Sequence, residues 1–355
     1  MTDLAPRPDA LPAPPIVRRP GKQLLVVALI AIAAALVPLF VTSPSRMNLA
    51  ILILMAAQLG VAWNILGGYA GQISLGHAAF FGIGAYSATL LFTNFDVSPW
   101  IGIPAGGLVA AAIGLVVGWS CFRLKGHYFA MATIAVAEIV QIAFNNWEYA
   151  GAAVGLSLPM VKRGWSTMIF NDKASYYYLA LGLLVFSLLI NFAIERSFLG
   201  YYFRAIKDEP DAARSLGVSL TLFKQLALFA SSFLTALGGG LYAFKELYID
   251  PPSVLSTGLS IKMALAAILG GVGTLFGPVI GAVILTAIEE GSRTLLGGSG
   301  RGTDLILYAL IIIGVAIYYP RGILGWFTDR STHRKARERA AQRDVVVEGA
   351  GDAAH

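Results

Sequence analysis

Charge is scarce in this sequence. Only 13% of the 355 residues are Asp, Glu, Lys or Arg, about half the share of a soluble domain. Together with 57% hydrophobic residues and a mean hydropathy of +0.70, that scarcity excludes an ordinary soluble enzyme, a disordered chain and a collagen-like repeat. Cysteine is almost absent as well. Cys121 stands alone, which excludes an intrachain disulfide, a zinc cluster and a CxxC motif. In its apolar run it reads as a small buried hydrophobe. No Gly-x-x-x-x-Gly-Lys-Ser/Thr stretch occurs, so the usual phosphate cradle for ATP is missing.

What the chain does have is long apolar runs. Runs at about 24–41, 49–66, 73–92, 100–122, 128–144, 176–194, 224–244 and 305–319 each approach one crossing of about 20 residues. The first is longer than a signal-peptide core and lacks a small-residue cleavage site after it, so it reads as a retained helix. A further run at 259–290 would be about 48 Å long as one helix, against a hydrocarbon core of about 30 Å. It must break, and Gly270, Gly271, Gly273, Gly277 and Pro278 mark where. The expected fold is an all-α, polytopic membrane helix bundle of about ten transmembrane helices. A Pro-rich tail (1–22) precedes the membrane domain (23–327), and a charged tail (328–355) follows it.

The net charge of +6 reads as membrane topology rather than nucleic-acid binding. Eighteen of the 26 Lys and Arg residues fall on the N-terminal tail, the 123–125 and 195–224 loops and the C-terminal end from Arg321 on. The positive-inside rule then puts both termini in the cytoplasm, which requires an even number of crossings.

Three stretches carry candidate chemistry. The first runs from Gly67 to Gly84, where Gly67, Gly68, Gly71, Gly76, Gly82 and Gly84 interrupt an apolar run. Glycine at this density weakens a helix. It permits either close helix packing or exposed backbone beside a cavity. In the second case Gln72, Ser74 and His77 offer hydrogen bonds along a broken helix that lines a substrate path. The second stretch is Glu138, an acid near the middle of its span, with Gln141 and Asn145 on the same helical face. A carboxylate there must face protein or water; the stripe is either part of a path or an interhelical hydrogen bond. Lys262, Glu289 and Glu290 read as interfacial groups near the outer ends of their spans, with Lys262 snorkelling, and carry no functional assignment.

The third stretch is the 195–224 loop. Arg204, Lys207, Asp208, Glu209 and Asp211 crowd around Pro210, a residue suited to a helix start, where the acids complement the helix dipole. Gly217 is a natural stop. A short, charged helix between two spans suggests docking to a cytoplasmic partner.

Asp211-Ala212-Ala213-x-x-x-Gly217 resembles the Glu-Ala-Ala-x-x-x-Gly coupling loop of ATP-binding cassette (ABC) importer permeases, with Asp in place of Glu. Trp63-Asn64-x-x-Gly67-Gly68-Tyr69-x-Gly71-Gln72-x-Ser74-x-Gly76-His77 and Gly270-Gly271-x-Gly273-Thr274-x-x-Gly277-Pro278 resemble the signatures of branched-chain amino acid permeases of the LivH/LivM class. Length and Gly126-x-Tyr128-Phe129-Ala130 favour the LivM type. The resemblance spans about 24–327. It implies a bacterial inner-membrane importer that moves branched-chain or related neutral amino acids by alternating access. Its partners would be a LivH-like second permease, two ABC ATPases, a periplasmic binding protein and membrane lipid. ATP would be bound by the partners, and no cofactor by this chain. Urea, amides or aromatic acids are alternative cargoes. A proton-coupled secondary transporter using Glu138, or a non-transporting scaffold, are alternative classes.

Overall fold

A computed structural model describes residues 20–41, 43–159 and 164–295, with 310 and 314 beyond them. The expected tails, up to residue 19 and from 328 on, and most of the run at 305–319 lie outside the described residues. In chain order the elements are α1 (Pro20–Ala35), α2 (Val37–Phe40), α3 (Pro44–Asn64) continuing into a π turn (Ile65–Tyr69), α4 (His77–Phe95), α5 (Pro99–Cys121), α6 (His127–Asn146), β1 (Leu156–Ser157), α7 (Lys173–Arg196), α8 (Phe198–Asp208), α9 (Pro210–Ser215), α10 (Leu220–Glu246), β2 (Tyr248–Ile249), α11 (Pro251–Val254), α12 (Thr257–Gly270) and α13 (Gly277–Leu295).

Local sequence explains most of the boundaries. Proline opens α3, α5, α9 and α11, where its missing N–H removes no helical bond and its fixed φ suits the first turn. The Asp172 side chain caps α7 by accepting from the Ala174 N–H, as an N-cap acid should. The two short strands pair antiparallel, with Leu156 opposite Ile249, and tie the loop after α6 to the end of α10. The first run is packed into the bundle: the Tyr177 hydroxyl of α7 donates to the Ala34 carbonyl at 2.7 Å.

The chain folds as a polytopic helical membrane protein. Among the described residues, seven helical segments are long and apolar enough to cross a membrane, and the 24–40 segment is a shorter apolar helix. α13 carries Glu289, Glu290 and Arg293 and is less apolar than those seven. The seven described segments neither fix nor exclude the expected total of ten.

α3, α4 and α10 form the interior, and α6 runs along the edge with little of its surface covered. α4 and α10 are in backbone contact. A methyl group on Gly84 would lie 2.3 Å from the Ala236 carbonyl oxygen, and one on Gly239 only 2.0 Å from that of Phe81. Lipid provides no hydrophobic drive between helices, so close packing of this kind is what holds them together.

Three expectations need correction. α4 begins at His77 rather than near 73, because 70–76 leaves helical geometry with Gly71 at φ +69°. The 195–224 loop holds two helices rather than one: α9 starts at Pro210 as expected, and α8 precedes it, hinged at Glu209. Lys262 and Glu289 do not sit at an outer end. They flank a cavity shared with Leu52, Met55 and Leu59 of α3, about 12–22 Å below Pro44 at 1.5 Å per residue. That is the middle of the 26-residue span Pro44–Tyr69.

Gly84→Val should therefore force α4 from α10 and destabilise the detergent-purified protein by about 3 kcal/mol, read as a lowered thermal midpoint. Gly182→Ala, where an added methyl group meets nothing within 4 Å, should leave the midpoint unchanged or raise it.

Candidate functional site

Two breaks in the helices meet. At the end of α3 the chain enters a buried π turn, and Trp63 and Asn64 fold back over it. A methyl group on Gly67 would lie 2.3 Å from the Trp63 ring, and one on Gly68 only 1.9 Å from Asn64 Oδ1. The Trp-Asn-x-x-Gly-Gly spacing is thus one geometric unit, in which each glycine vacates the space its partner four residues earlier fills. The Trp63 indole donates to the Ser74 carbonyl at 2.7 Å. The Asn64 amide donates to the Thr274 carbonyl at 3.0 Å, and its Oδ1 accepts from the Gly273 N–H at 2.8 Å. Thr274 and Gly273 belong to the second break, between α12 and α13. There Gly270 and Gly277 let the helices touch: a methyl group on Gly270 would lie 1.7 Å from the Gly277 carbonyl oxygen.

The loop helix reaches this clasp directly. The Lys207 ammonium of α8 donates to the Gly68 carbonyl at 2.8 Å. Its stem passes over Gly71, where an added methyl group would lie 2.8 Å from Lys207 Cγ.

His77 has a fully internal role. It is completely buried, with Nε2 2.8 Å from Ser231 Oγ and Nδ1 3.1 Å from Ser74 Oγ. The Ser231 hydroxyl spends its hydrogen on the Ala62 carbonyl at 2.8 Å. The network therefore assigns the His77 proton to Nε2, and Nδ1 accepts from Ser74. The expected place of His77 on an open path is not what this conformation gives it, and Gly67, Gly68, Ser74 and Gly76 are buried with it. Gln72 is different. It is half-buried and lines a cavity of about 820 Å³ with Arg123, Lys125, Asp211 and Arg214. The first break and the loop helices thus share one basic cleft.

α8 buries Gly200, Phe203 and Ile206, and Arg204 pairs with Glu195 at 3.0 Å. α9 buries only Ala213; Asp208, Glu209, Asp211 and Ala212 are exposed. Gly217, at φ +84°, closes α9 through its N–H to the Arg214 carbonyl, while the Val218 N–H reaches that of Ala213. Just outside, Phe198 is 83% and Leu216 86% exposed, large apolar groups on a charged face.

The Glu138 stripe stands apart. Its carboxylate accepts from the Thr257 hydroxyl in the first turn of α12, and Gln141 and Asn145 are half-buried on the same face. Among the described residues no hydrogen bond joins the stripe to the breaks, and no group of three His, Cys, Asp or Glu residues could hold a metal ion. Ser231 and Thr257 were not anticipated. Each stands beside a serine (Ser232 and Ser256, respectively) in an apolar setting, and nothing local announces its partner.

Multiple apolar spans, interrupted at glycines that clasp each other, define a polytopic membrane permease. The family model for the branched-chain amino acid transport system permease component matches residues 45–315, and the chain belongs to that family. It is 31% identical to the high-affinity branched-chain amino acid transport system permease protein LivM of Salmonella typhimurium over 326 residues, 85% of this chain and 75% of that protein. The LivM of Escherichia coli is 30% identical over the same shares. The LivH protein of Salmonella typhimurium is 26% identical over 76% of this chain and 91% of its own length. No solved structure matches the chain.

Asn64→Leu should leave the part-buried Gly273 N–H and Thr274 carbonyl without their partner, at about 1 kcal/mol for each bond lost. The thermal midpoint should fall, and hydrogen exchange across 270–277 should accelerate.

Proposed function

We propose that this chain is the LivM-like permease half of an ABC importer for branched-chain or related neutral amino acids, set in a bacterial inner membrane with both termini cytoplasmic. Its partners are a LivH-like second permease, two ATPases, one of which docks on α8 and α9, and a periplasmic binding protein. ATP is hydrolysed by the ATPases; this chain transmits motion.

The Lys207 contact with Gly68 carries the reading. It joins a helix with an exposed, charged and apolar outer face to the backbone of a break inside the bundle. Movement of α8 pulls on the Gly68 carbonyl. The clasp formed by Asn64 passes that pull to Gly273 and so to α12. Interfaces of this kind switch between discrete arrangements rather than deforming continuously. Gly67, Gly68, Gly76, Gly270, Gly271 and Gly277 act as hinge packing, and Gln72 faces the cytoplasmic mouth. Glu138 holds the first turn of α12 through Thr257. Proton carriage by Glu138 would leave α9 without a role.

In the reconstituted importer, Lys207→Met should leave ATP hydrolysis within about twofold but cut amino acid uptake about tenfold or more. That is the loss expected for one hydrogen bond from a charged donor, about 1.5–3 kcal/mol. Unchanged uptake would overturn the coupling role. Gly217→Val, which forces a branched side chain into positive φ, should lower both activities by misplacing α9, and co-purification of the ATPases reports the loss.

A further inference from the structure

A second cavity, of about 300 Å³, lies between α3, α12 and α13, a size at the lower end for small-molecule sites. Leu59, Phe81, Met263 and Leu285 make its apolar wall, and Lys262, Glu289 and Glu290 also line it. The Lys262 ammonium pairs with the Glu289 carboxylate. Along α3 this charged group lies beside the middle of the span, as shown above. A charge at that depth is costly to insert and marks a functional site by default. Snorkelling does not account for it, because the ammonium ends on a carboxylate within the cavity rather than at an interface.

We infer that this cavity binds the transported amino acid itself. The inference rests on the reading of the chain as an amino acid permease, and names the groups that hold the cargo. The α-carboxylate meets the Lys262 ammonium, the α-ammonium meets Glu289, and the aliphatic side chain lies against Leu59 and Met263. A zwitterion replaces the Lys262–Glu289 contacts one for one. Neither charge, both of them partly exposed in the cavity wall, is left unpaired. An uncharged solute such as urea offers no such exchange, and an anion brings no ammonium to replace Lys262 at Glu289. The site is also mechanically placed. Lys262 rides on α12, whose far end is held by the Asn64 clasp and whose first turn is held by Glu138. A shift of α12 relative to α13 separates Lys262 from Glu289, and with them the two ends of the ligand's backbone.

Two measurements test this. In a Cys121→Ala background, Leu52→Cys places a thiol on the cavity wall of the purified permease. L-Leucine should slow its reaction with maleimide, while urea and leucinamide, which lacks the carboxylate, should not. In the reconstituted importer, Lys262→Met combined with Glu289→Gln should reduce leucine uptake about tenfold or more, with ATPase assembly retained. A pair that only braced the fold would tolerate this joint neutralisation. Wild-type uptake by the double variant, or equal labelling with and without leucine, would overturn the site and leave the permease reading intact. Failure of the unmodified importer to take up any amino acid would instead overturn the reading on which the site rests. Should the double variant fail to fold, the labelling result decides alone.

Discussion

Backbone that leaves helical geometry inside a membrane must find its hydrogen bonds in protein, and Asn64, at the edge of the first break, meets that requirement for the second. One side chain donates to the Thr274 carbonyl and accepts from the Gly273 N–H, while its own helix ends in the π turn at Ile65–Tyr69. The second break therefore depends on the first: were Asn64 displaced, the groups at 273 and 274 would lose their partner. The glycines at 67 and 68 are required by the same arrangement, since Trp63 and Asn64 occupy the volume that side chains there would need.

α12 draws its importance from this clasp. It is short, 14 residues, about 21 Å long, and it does not span a bilayer by itself. It is fastened at both ends and in the middle: Thr257 to Glu138 of α6, the Ser260 hydroxyl to the Ala78 N–H at the start of α4, Lys262 to Glu289 of α13, and the following break to Asn64 of α3. A rigid rod tied to four helices moves as a unit or not at all. Such an element can carry a displacement from the loop of α8 and α9 toward the membrane interior.

Much of this was legible in the sequence, though unevenly. The spans were visible because apolar length is the signal a membrane imposes. The break near Gly270 was forced by arithmetic, since 32 apolar residues overrun the bilayer. Pro210 and Gly217 bracketed α9 because their backbone limits are intrinsic. α8 and its hinge to α9 at Glu209 were missed because no side-chain cap marks the start of α8. The contact of Lys207 with Gly68 joins residues 139 apart, and the meeting of the two breaks joins residues more than 200 apart. Periodicity and local motif report nothing about such distances. Lys262 and Glu289 were misplaced for a related reason. Counting from the end of a hydrophobic run assumes that the run begins at the membrane surface, whereas here α12 starts at depth, after the chain has turned inward through α11.

Magnitudes limit how the switch can work. Moving a two-state equilibrium from about 1:99 to 99:1 requires roughly 5.5 kcal/mol of difference between the states. The Lys207 hydrogen bond to Gly68 supplies about 1.5–3 kcal/mol if it is made in one state and broken in the other, and each neutral bond of Asn64 about 1 kcal/mol. Together they approach the requirement without meeting it. The remainder has to come from surface covered in only one state, and the exposed Phe198 and Leu216 beside α9 offer it at about 1.5–3 kcal/mol for each large apolar side chain fully covered. The clasp alone therefore cannot drive the transition; it needs the proposed docking face, and Lys207 lies where the two meet.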